Sequence, residues 1–226
     1  LQSTPWVITP HFHPSWSMWG GAKRKTLREF YDTVIGKGTM ETADLITCVS
    51  KHERDMLIEE IGVREENIKI IYNGINWSDW KVLPDKKIFR DQYPEISEKF
   101  VLFAGRLATN KGISDLISAM KEIDQKSIDL VVVGADMGLA KSLEKEAFEK
   151  GVKMHRLGHI DDNTYRSVLA SAEMLVLPSE YEAFGIVLLE AAAAETAVIG
   201  TNVGGIPEAM SPGENGLIVE YNDVTN

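Results

Sequence analysis

The sequence predicts an α/β protein, a Rossmann-like, doubly wound parallel sheet preceded by part of a second Rossmann-like domain. Three observations carry the prediction. Apolar runs of strand length alternate with amphipathic runs of helix length throughout the chain after residue 81, the pattern of a parallel sheet covered on both faces. Glycines such as Gly62 and Gly151 stand where helical runs stop. An aperiodic stretch at 76–84 separates this regular part from a shorter α/β portion before it.

Taken in order, Trp6-Val7-Ile8-Thr9 reads as a short strand, ending in a loop that carries His11 and His13. Gly20-Gly21 breaks the chain. From 23 to 41 the pattern is mostly helical, with Leu27, Phe30, Tyr31 and Val34 at helical spacing. Residues 45–49 form a strand. Ser50 followed by Glu53 reads as a capping box for a helix through Glu60, stopped by Gly62. Residues 68–72 are a further strand, closed by Asn73-Gly74. The linker at 76–84 places the domains at 1–80 and 81–226. Beyond it, strands are expected at 100–104, 130–133, 153–157, 174–177, 197–200 and 217–219. Helices are expected near 112–123, 138–150, 161–172, 185–194 and 205–210, with Leu139, Leu143, Ala147 and Phe148 forming the apolar face of the second.

The 226 residues are enough for one large or two smaller domains, and 44% hydrophobic with 26% charged content is that of a soluble globular protein. No apolar run is long enough to span a membrane, since Glu190 and Glu195 interrupt the longest. A formal charge of −10 argues against nucleic acid as a partner. Cys48, the only cysteine, excludes an intrachain disulfide and reads as inert core. The chain begins without Met and stops just after a turn-like Glu220-Tyr221-Asn222-Asp223, so a fragment of a longer protein is expected.

Two stretches could carry chemistry. In the first, the strand Met174-Leu175-Val176-Leu177 runs into a polar loop with Glu180 and Glu182, then Gly185 and a Leu- and Ala-rich helix. A loop at the carboxyl end of a parallel strand, with a helix N-terminus behind it, is where open α/β sheets bind anionic ligands. Gly185 would let the backbone approach an anion closely. Glu182 precedes the helix and faces whatever fills the crevice. Glu190 has apolar neighbours on both sides, so its carboxylate is costly unless it meets a donor such as a sugar hydroxyl; pairing with a Lys or Arg, or reaching solvent, is the equal alternative. In the second stretch, the strand at 100–104 is followed by Gly105, Arg106 and Lys111. Arg as a fork and Lys as a point charge suit a diphosphate. A P-loop is the competitor, but Asn110 stands where it needs Gly and Gly112 where it needs Ser or Thr. Read alone, Arg106 and Lys111 would be ordinary surface cations.

Together, Gly105-Arg106-Leu107-Ala108-Thr109-Asn110-Lys111-Gly112 and Glu182-x7-Glu190 resemble the retaining GT-B glycosyltransferases of family 4. Asn73-Gly74-Ile75, Val133-Gly134, Leu157-Gly158-His159-Ile160, Gly204-Gly205-Ile206-Pro207-Glu208 and Asn215-Gly216-Leu217 are similar to that family's pattern and follow in its order. Asn76 departs from the usual Asp, Ala183 from a common Gly, and Glu195 and Ala197 from Gly and Pro. The resemblance implies that the chain holds the end of an acceptor-side domain and most of a nucleotide-sugar domain, working without metal or cofactor. It implies that Arg106 and Lys111 hold the donor diphosphate, Glu182 the transferred sugar and Glu190 the ribose. Backbone N–H groups of Phe184, Gly185 and Ile186, with Gly105, would face phosphate or sugar, and Gly158 to Ile160 would meet the base. His11, with His13 second, stands where the family carries a sugar-facing histidine. His52 and His155 read as structural.

The partners implied are a UDP- or GDP-type sugar donor and a glycan, lipid or small-molecule acceptor, in a cytoplasmic enzyme. All five tryptophans, Trp6, Trp16, Trp19, Trp77 and Trp80, precede residue 81; Trp16 and Trp19 could line the acceptor side, with packing at a domain interface as the alternative. The cluster Lys23, Arg24, Lys25 and Arg28 reads as a solvated helix face, with peripheral contact to lipid head groups as the alternative. The rival functions are a nucleotide-sugar 2-epimerase of the same architecture and a nucleotide-binding module without turnover. An NAD-dependent oxidoreductase would need a Gly-x-Gly-x-x-Gly turn, which no strand here precedes.

Overall fold

The computed structural model describes residues 4–12, 26, 27, 30–123 and 127–225. Two parallel sheets organise them. The first has three strands, β1 (Val7–Ile8), β2 (Leu45–Cys48) and β3 (Ile68–Ile70), in that spatial order. A helical segment over Tyr31–Gly36 continues into α1 (Lys37–Glu41) between β1 and β2. Lys23, Arg24, Lys25, Arg28, His13, Trp16 and Trp19 lie outside the described residues.

Helix α2 (Lys51–Met56) continues as a wider turn over Leu57–Ile61, and Gly62 closes it at φ 75°. Its start corrects one expectation. The Ser50 hydroxyl accepts the Glu53 N–H at 3.0 Å, as a capping box requires. The reciprocal bond is missing: the Glu53 carboxylate instead accepts the Val49 N–H at 2.7 Å and the Phe12 N–H at 2.5 Å. A fully buried carboxylate takes the two main-chain donors that β1 and β2 bring to it, and both its oxygens are used.

The second sheet has six parallel strands in the order β6-β5-β4-β7-β8-β9. These are β4 (Lys99–Ala104), β5 (Ile128–Val133), β6 (Met154–Gly158), β7 (Met174–Leu177), β8 (Ala197–Thr201) and β9 (Gly216–Val219). The alternation of β4 assigns its two faces. Phe100, Leu102 and Ala104 pack into one core with residues of α3 (Lys86–Gln92), α6 (Asp162–Ser171), α7 (Ile186–Ala193) and α8 (Ile206–Ala209). Val101 and Phe103 pack into the other, beneath α4 (Ile113–Glu122) and α5 (Ala140–Lys150). Each fully buried Phe, Leu or Ile contributes roughly 1.5–3 kcal/mol. Helices on both faces make the sheet doubly wound, and the order reverses between β4 and β7. Beside α4, Met174, Val176, Ile199 and Val219 line an open groove of about 460 Å³ on the second face.

Two sequence expectations fail locally. Helix α3 was not anticipated: it is seven residues long, too short for periodicity to register, yet Asp85 caps it and Phe89 is wholly buried against Phe100. Phe148, placed on the apolar face of α5, is 85% exposed, while Ala140, Leu143 and Ala147 are buried. The buried stripe, Ala140, Leu143 and Ala147, runs along two turns as a narrow arc of small and branched side chains, and Phe148 falls outside it. Glu195, standing where glycine is common in the resembling family, has φ 59°, the left-handed conformation that glycine favours. Cys48 is buried, and burial pushes its thiol up to about 12, consistent with inert core. Trp80 is buried under the Arg166 guanidinium, whereas Trp6 and Trp77 are exposed.

Asp129, at the amino end of β5, ties three segments together at the end of the sheet remote from the loops after β4 and β7. It accepts from the Ser97 N–H and hydroxyl at 2.9 and 2.8 Å, and from Lys153 Nζ and His155 Nε2 at 2.8 Å each. Burial opposes its ionisation, but these donors prevail and hold its carboxyl below the ordinary value. A depressed folded value means the stabilisation is present above the ordinary carboxylate range and is lost as pH falls through the folded value. Asp129→Ala should therefore cost on the order of 2 kcal/mol at neutral pH, read as a fall in Tm, with the deficit shrinking on acidification.

Candidate functional site

The carboxyl ends of β4 and β7 are neighbours, and the loops that leave them are held together by the main chain. The Glu180 N–H donates to the Asn110 carbonyl at 2.9 Å. At Gly112, with φ 65°, a Cβ would lie 1.9 Å from the Pro178 carbonyl oxygen, so only glycine allows the two loops to close. Between these contacts stands Lys111, whose ammonium pairs with the Glu182 carboxylate. Both side chains are mostly shielded, 12% and 21% exposed. The backbone of Glu182 is itself seated on the turn after β8. Its carbonyl accepts the Gly205 N–H at 2.8 Å, and a Cβ on Gly204 would come within 2.0 Å of the same oxygen. A parallel sheet thus delivers Lys111 and Glu182, 71 residues apart, to one point.

Gly185 is at φ 91° and begins α7, whose first turn has no side-chain cap. Its N-terminus, formed by Phe184, Gly185 and Ile186, opens beside Glu182. Phe184 is buried and meets the Tyr72 ring at 5.9 Å. One turn into α7, Glu190 accepts the Tyr165 hydroxyl at 2.6 Å. The hydrogen-bond partner of Glu190 within the protein is thus a tyrosine of α6, and the Arg166 guanidinium beside the same cleft favours its ionised form. Burial raises the Glu190 carboxyl above its ordinary value despite that hydrogen bond, and burial with the nearby carboxylate raises the Tyr165 hydroxyl. Tyr165 remains a donor.

Two clefts meet at Tyr165 and Asp162. One, of about 320 Å³, is lined by Gly105, Gly134, Gly158, His159 and Ile160 at the ends of β4, β5 and β6. The other, of about 250 Å³, holds Glu190, Ile186, Asn76 and Trp80. Asn76 caps the short turn after it: its side-chain oxygen accepts the Ser78 N–H and hydroxyl at 3.3 and 2.6 Å. Arg106, in the loop of Lys111, is exposed and makes no ion pair with either acid. Among the described residues, no group of three His, Cys, Asp or Glu side chains could hold a metal, and no helix is long and apolar enough to cross a membrane.

From the first sheet, His11 is exposed at φ 46°, and the carbonyl of the next residue, Phe12, accepts the Tyr181 hydroxyl at 2.9 Å. His11 and Glu182 are therefore each one residue from the same hydrogen bond. Tyr181, 1% exposed, lies in the core of the first sheet although its own strand belongs to the second. Glu208, in α8, adds a second tie by accepting the Lys51 and His52 N–H groups at 2.9 and 3.1 Å. His52 meets the Tyr181 ring, and His155 meets Asp129. Tyr165, Tyr181 and Glu53 were not legible as site residues. An aromatic within an apolar pattern gives no sign of where its hydroxyl points.

The family described as Glycosyl transferases group 1 matches residues 85–226, and Glycosyltransferase Family 4 matches residues 1–78. A glycosyltransferase of Methanocaldococcus jannaschii is 37% identical over 187 residues, covering 80% of this chain and 48% of that protein. The alpha-maltose-1-phosphate synthase of Mycolicibacterium smegmatis is 28% identical, covering 98% of this chain and 59% of that protein. Among solved structures, sucrose-phosphate synthase from Thermosynechococcus elongatus superposes with a TM-score of 0.81 at 28% identity, over 97% of this chain and 55% of that one. Anabaena HepE, solved in complex with UDP and glucose, has the same fold with a TM-score of 0.81 at 23% identity, over 97% of this chain and 59% of that one. The chain spans about half the length of the curated relatives it matches. With two Rossmann-like sheets and matches over both, the chain belongs to the group 1 glycosyl transferases of the GT-B, family 4 type.

Proposed function

We propose that the protein carrying this chain is a retaining glycosyltransferase that moves a hexosyl group from a nucleoside-diphosphate sugar to an acceptor hydroxyl of a glycan, lipid or small molecule. The contact of Lys111 with Glu182 carries the reading: a cation for a diphosphate and an acid for sugar hydroxyls share one crevice at the reversal of strand order. Lys111 and Arg106 hold the diphosphate, with the N–H groups of Phe184, Gly185 and Ile186 at the uncapped start of α7 as further donors. Glu182 accepts from hydroxyls of the sugar being moved. Glu190, steadied by Tyr165, accepts from the ribose, and Gly105, Gly158 and Ile160 wall the cleft that takes the base. His11 approaches the sugar from the first sheet.

In the reaction, the bond from the anomeric carbon to the phosphate oxygen breaks while a bond to the acceptor oxygen forms on the same face. The acceptor proton passes to the departing phosphate oxygen. The protein's part is positioning, and stabilisation of charge on the diphosphate. No protein nucleophile or metal enters this scheme. The named relatives are transferases and synthases, which does not favour the epimerase reading.

Lys111→Ala in the full-length protein should lower kcat by about 10²–10³-fold, the range for loss of one such electrostatic group. Sugar release from a panel of UDP-, GDP-, ADP- and CDP-sugars, with acceptors present, measures it. Wild type and variant both silent on every donor, with nucleotide still bound, would refute the transferase reading.

Glu190 yields a paired outcome. Its raised carboxyl value means that ionisation opposes folding, a cost absent below the ordinary value and fully felt once pH exceeds the raised one. Glu190→Gln should raise Tm at pH 7 by about 2–4 °C, a gain that fades on acidification. The same variant should weaken nucleotide binding about tenfold, the loss of a charge-assisted hydrogen bond. Calorimetry at pH 7 and pH 4, with isothermal titration of nucleoside diphosphates, reads both.

A further inference from the structure

The Phe12 peptide is held on every side. Its N–H donates to Glu53 Oε1 at 2.5 Å, its carbonyl accepts the Tyr181 hydroxyl at 2.9 Å, and its ring is 4% exposed in the core of the first sheet. Glu53 is completely buried, and its other oxygen accepts the Val49 N–H at 2.7 Å. Tyr181 is 1% exposed. A buried carboxylate and a buried hydroxyl are costly to maintain, and here each spends its hydrogen bond on the main chain of one loop residue. The residue displayed by this clamp, His11, has φ 46°, the left-handed region that few non-glycine residues adopt. The clamp is also built from both sheets. Glu53 belongs to the first, while Tyr181 precedes Glu182 in the loop after β7.

We infer that Glu53 and Tyr181 are positioning residues that fix the His11 imidazole against the sugar bound by Glu182, so that the transfer step, not donor capture, depends on them. The inference rests on the proposed transferase reading and extends it to residues that touch no substrate. The lone hydroxyl of Tyr181 couples the two sheets at the reacting centre. Without the Tyr181 bond, the Glu53 bond and the packing of the Phe12 ring would be left to hold the loop of His11.

Tyr181→Phe deletes one oxygen and keeps the buried ring, so the fold is retained. In the full-length protein it should lower kcat about tenfold, a misplacement effect, and leave the donor KM within about twofold. In a His11→Ala background the same substitution should cost less than about twofold more, because the residue it positions is gone. Glu53→Gln, which turns one accepting oxygen into a donor, should reproduce the kcat loss. Hydrogen exchange gives a readout that needs no turnover: the Phe12 amide should exchange about tenfold faster in Tyr181→Phe. Losses that multiply in the double variant, a rise in KM at unchanged kcat, or unchanged exchange at Phe12 would each overturn the inference. Failure of the transferase reading looks different: wild type turns over no donor, while exchange at Phe12 still responds to the tyrosine hydroxyl. That result would remove the clamp's catalytic purpose and overturn the inference as well.

Discussion

The site depends on one constraint, the pressing together of the loops that leave β4 and β7. These strands are hydrogen-bonded neighbours, Val101 opposite Met174 and Leu102 opposite Leu175, so their exits emerge side by side. Connections from β4 and β7 then diverge toward opposite edges of the sheet, which leaves a crevice between them. Gly112 lets one loop lie on the Pro178 carbonyl, and Gly204 lets the turn after β8 support the Glu182 carbonyl. Lys111 and Glu182 meet because the backbone around them has no alternative course.

An ion pair so placed is a poor device for stability. Removing two charges from water costs several kcal/mol each, and the attraction between them roughly offsets that cost. Its value lies in readiness: an ammonium already held near a carboxylate needs little reorganisation when further oxygen ligands arrive. Glu190 tells the same story from the other side, since burial makes its ionisation work against folding and the Tyr165 hydroxyl and Arg166 charge relieve it only in part. A carboxylate held above its ordinary value beside a cleft is of the kind found where a fold serves binding.

The contacts between the two sheets follow a different logic. Tyr181 leaves its own strand to enter the core of the first sheet, and Glu208 caps α2 with a carboxylate from α8. Each replaces a contact that a single domain would make within itself. Tyr181 sits one residue from Glu182, and the loop it grips sits one residue from His11. The relative placement of the sheets is thereby tied to the geometry of the crevice. Glu53 shows how local reading misleads here. Its spacing from Ser50 is that of a reciprocal cap, and the serine half forms, but the carboxylate is drawn instead to Val49 and to Phe12, 41 residues away.

By itself the sequence determined the alternation of strands and helices, the parallel doubly wound architecture, and the motif positions of Lys111, Glu182 and Glu190. Periodicity, glycine stops and motif spacing are local properties, and they survive without knowledge of the partner segments. Short α3, the exposed side of Phe148, and the partners of Glu53, Glu190 and Tyr181 were decided only in three dimensions. Each depends on which distant group arrives within hydrogen-bonding or packing distance. A tyrosine reads as core whether its hydroxyl meets Glu190, the Phe12 carbonyl or water, because the apolar ring sets the pattern and the single polar atom finds its partner only after the sheets have come together.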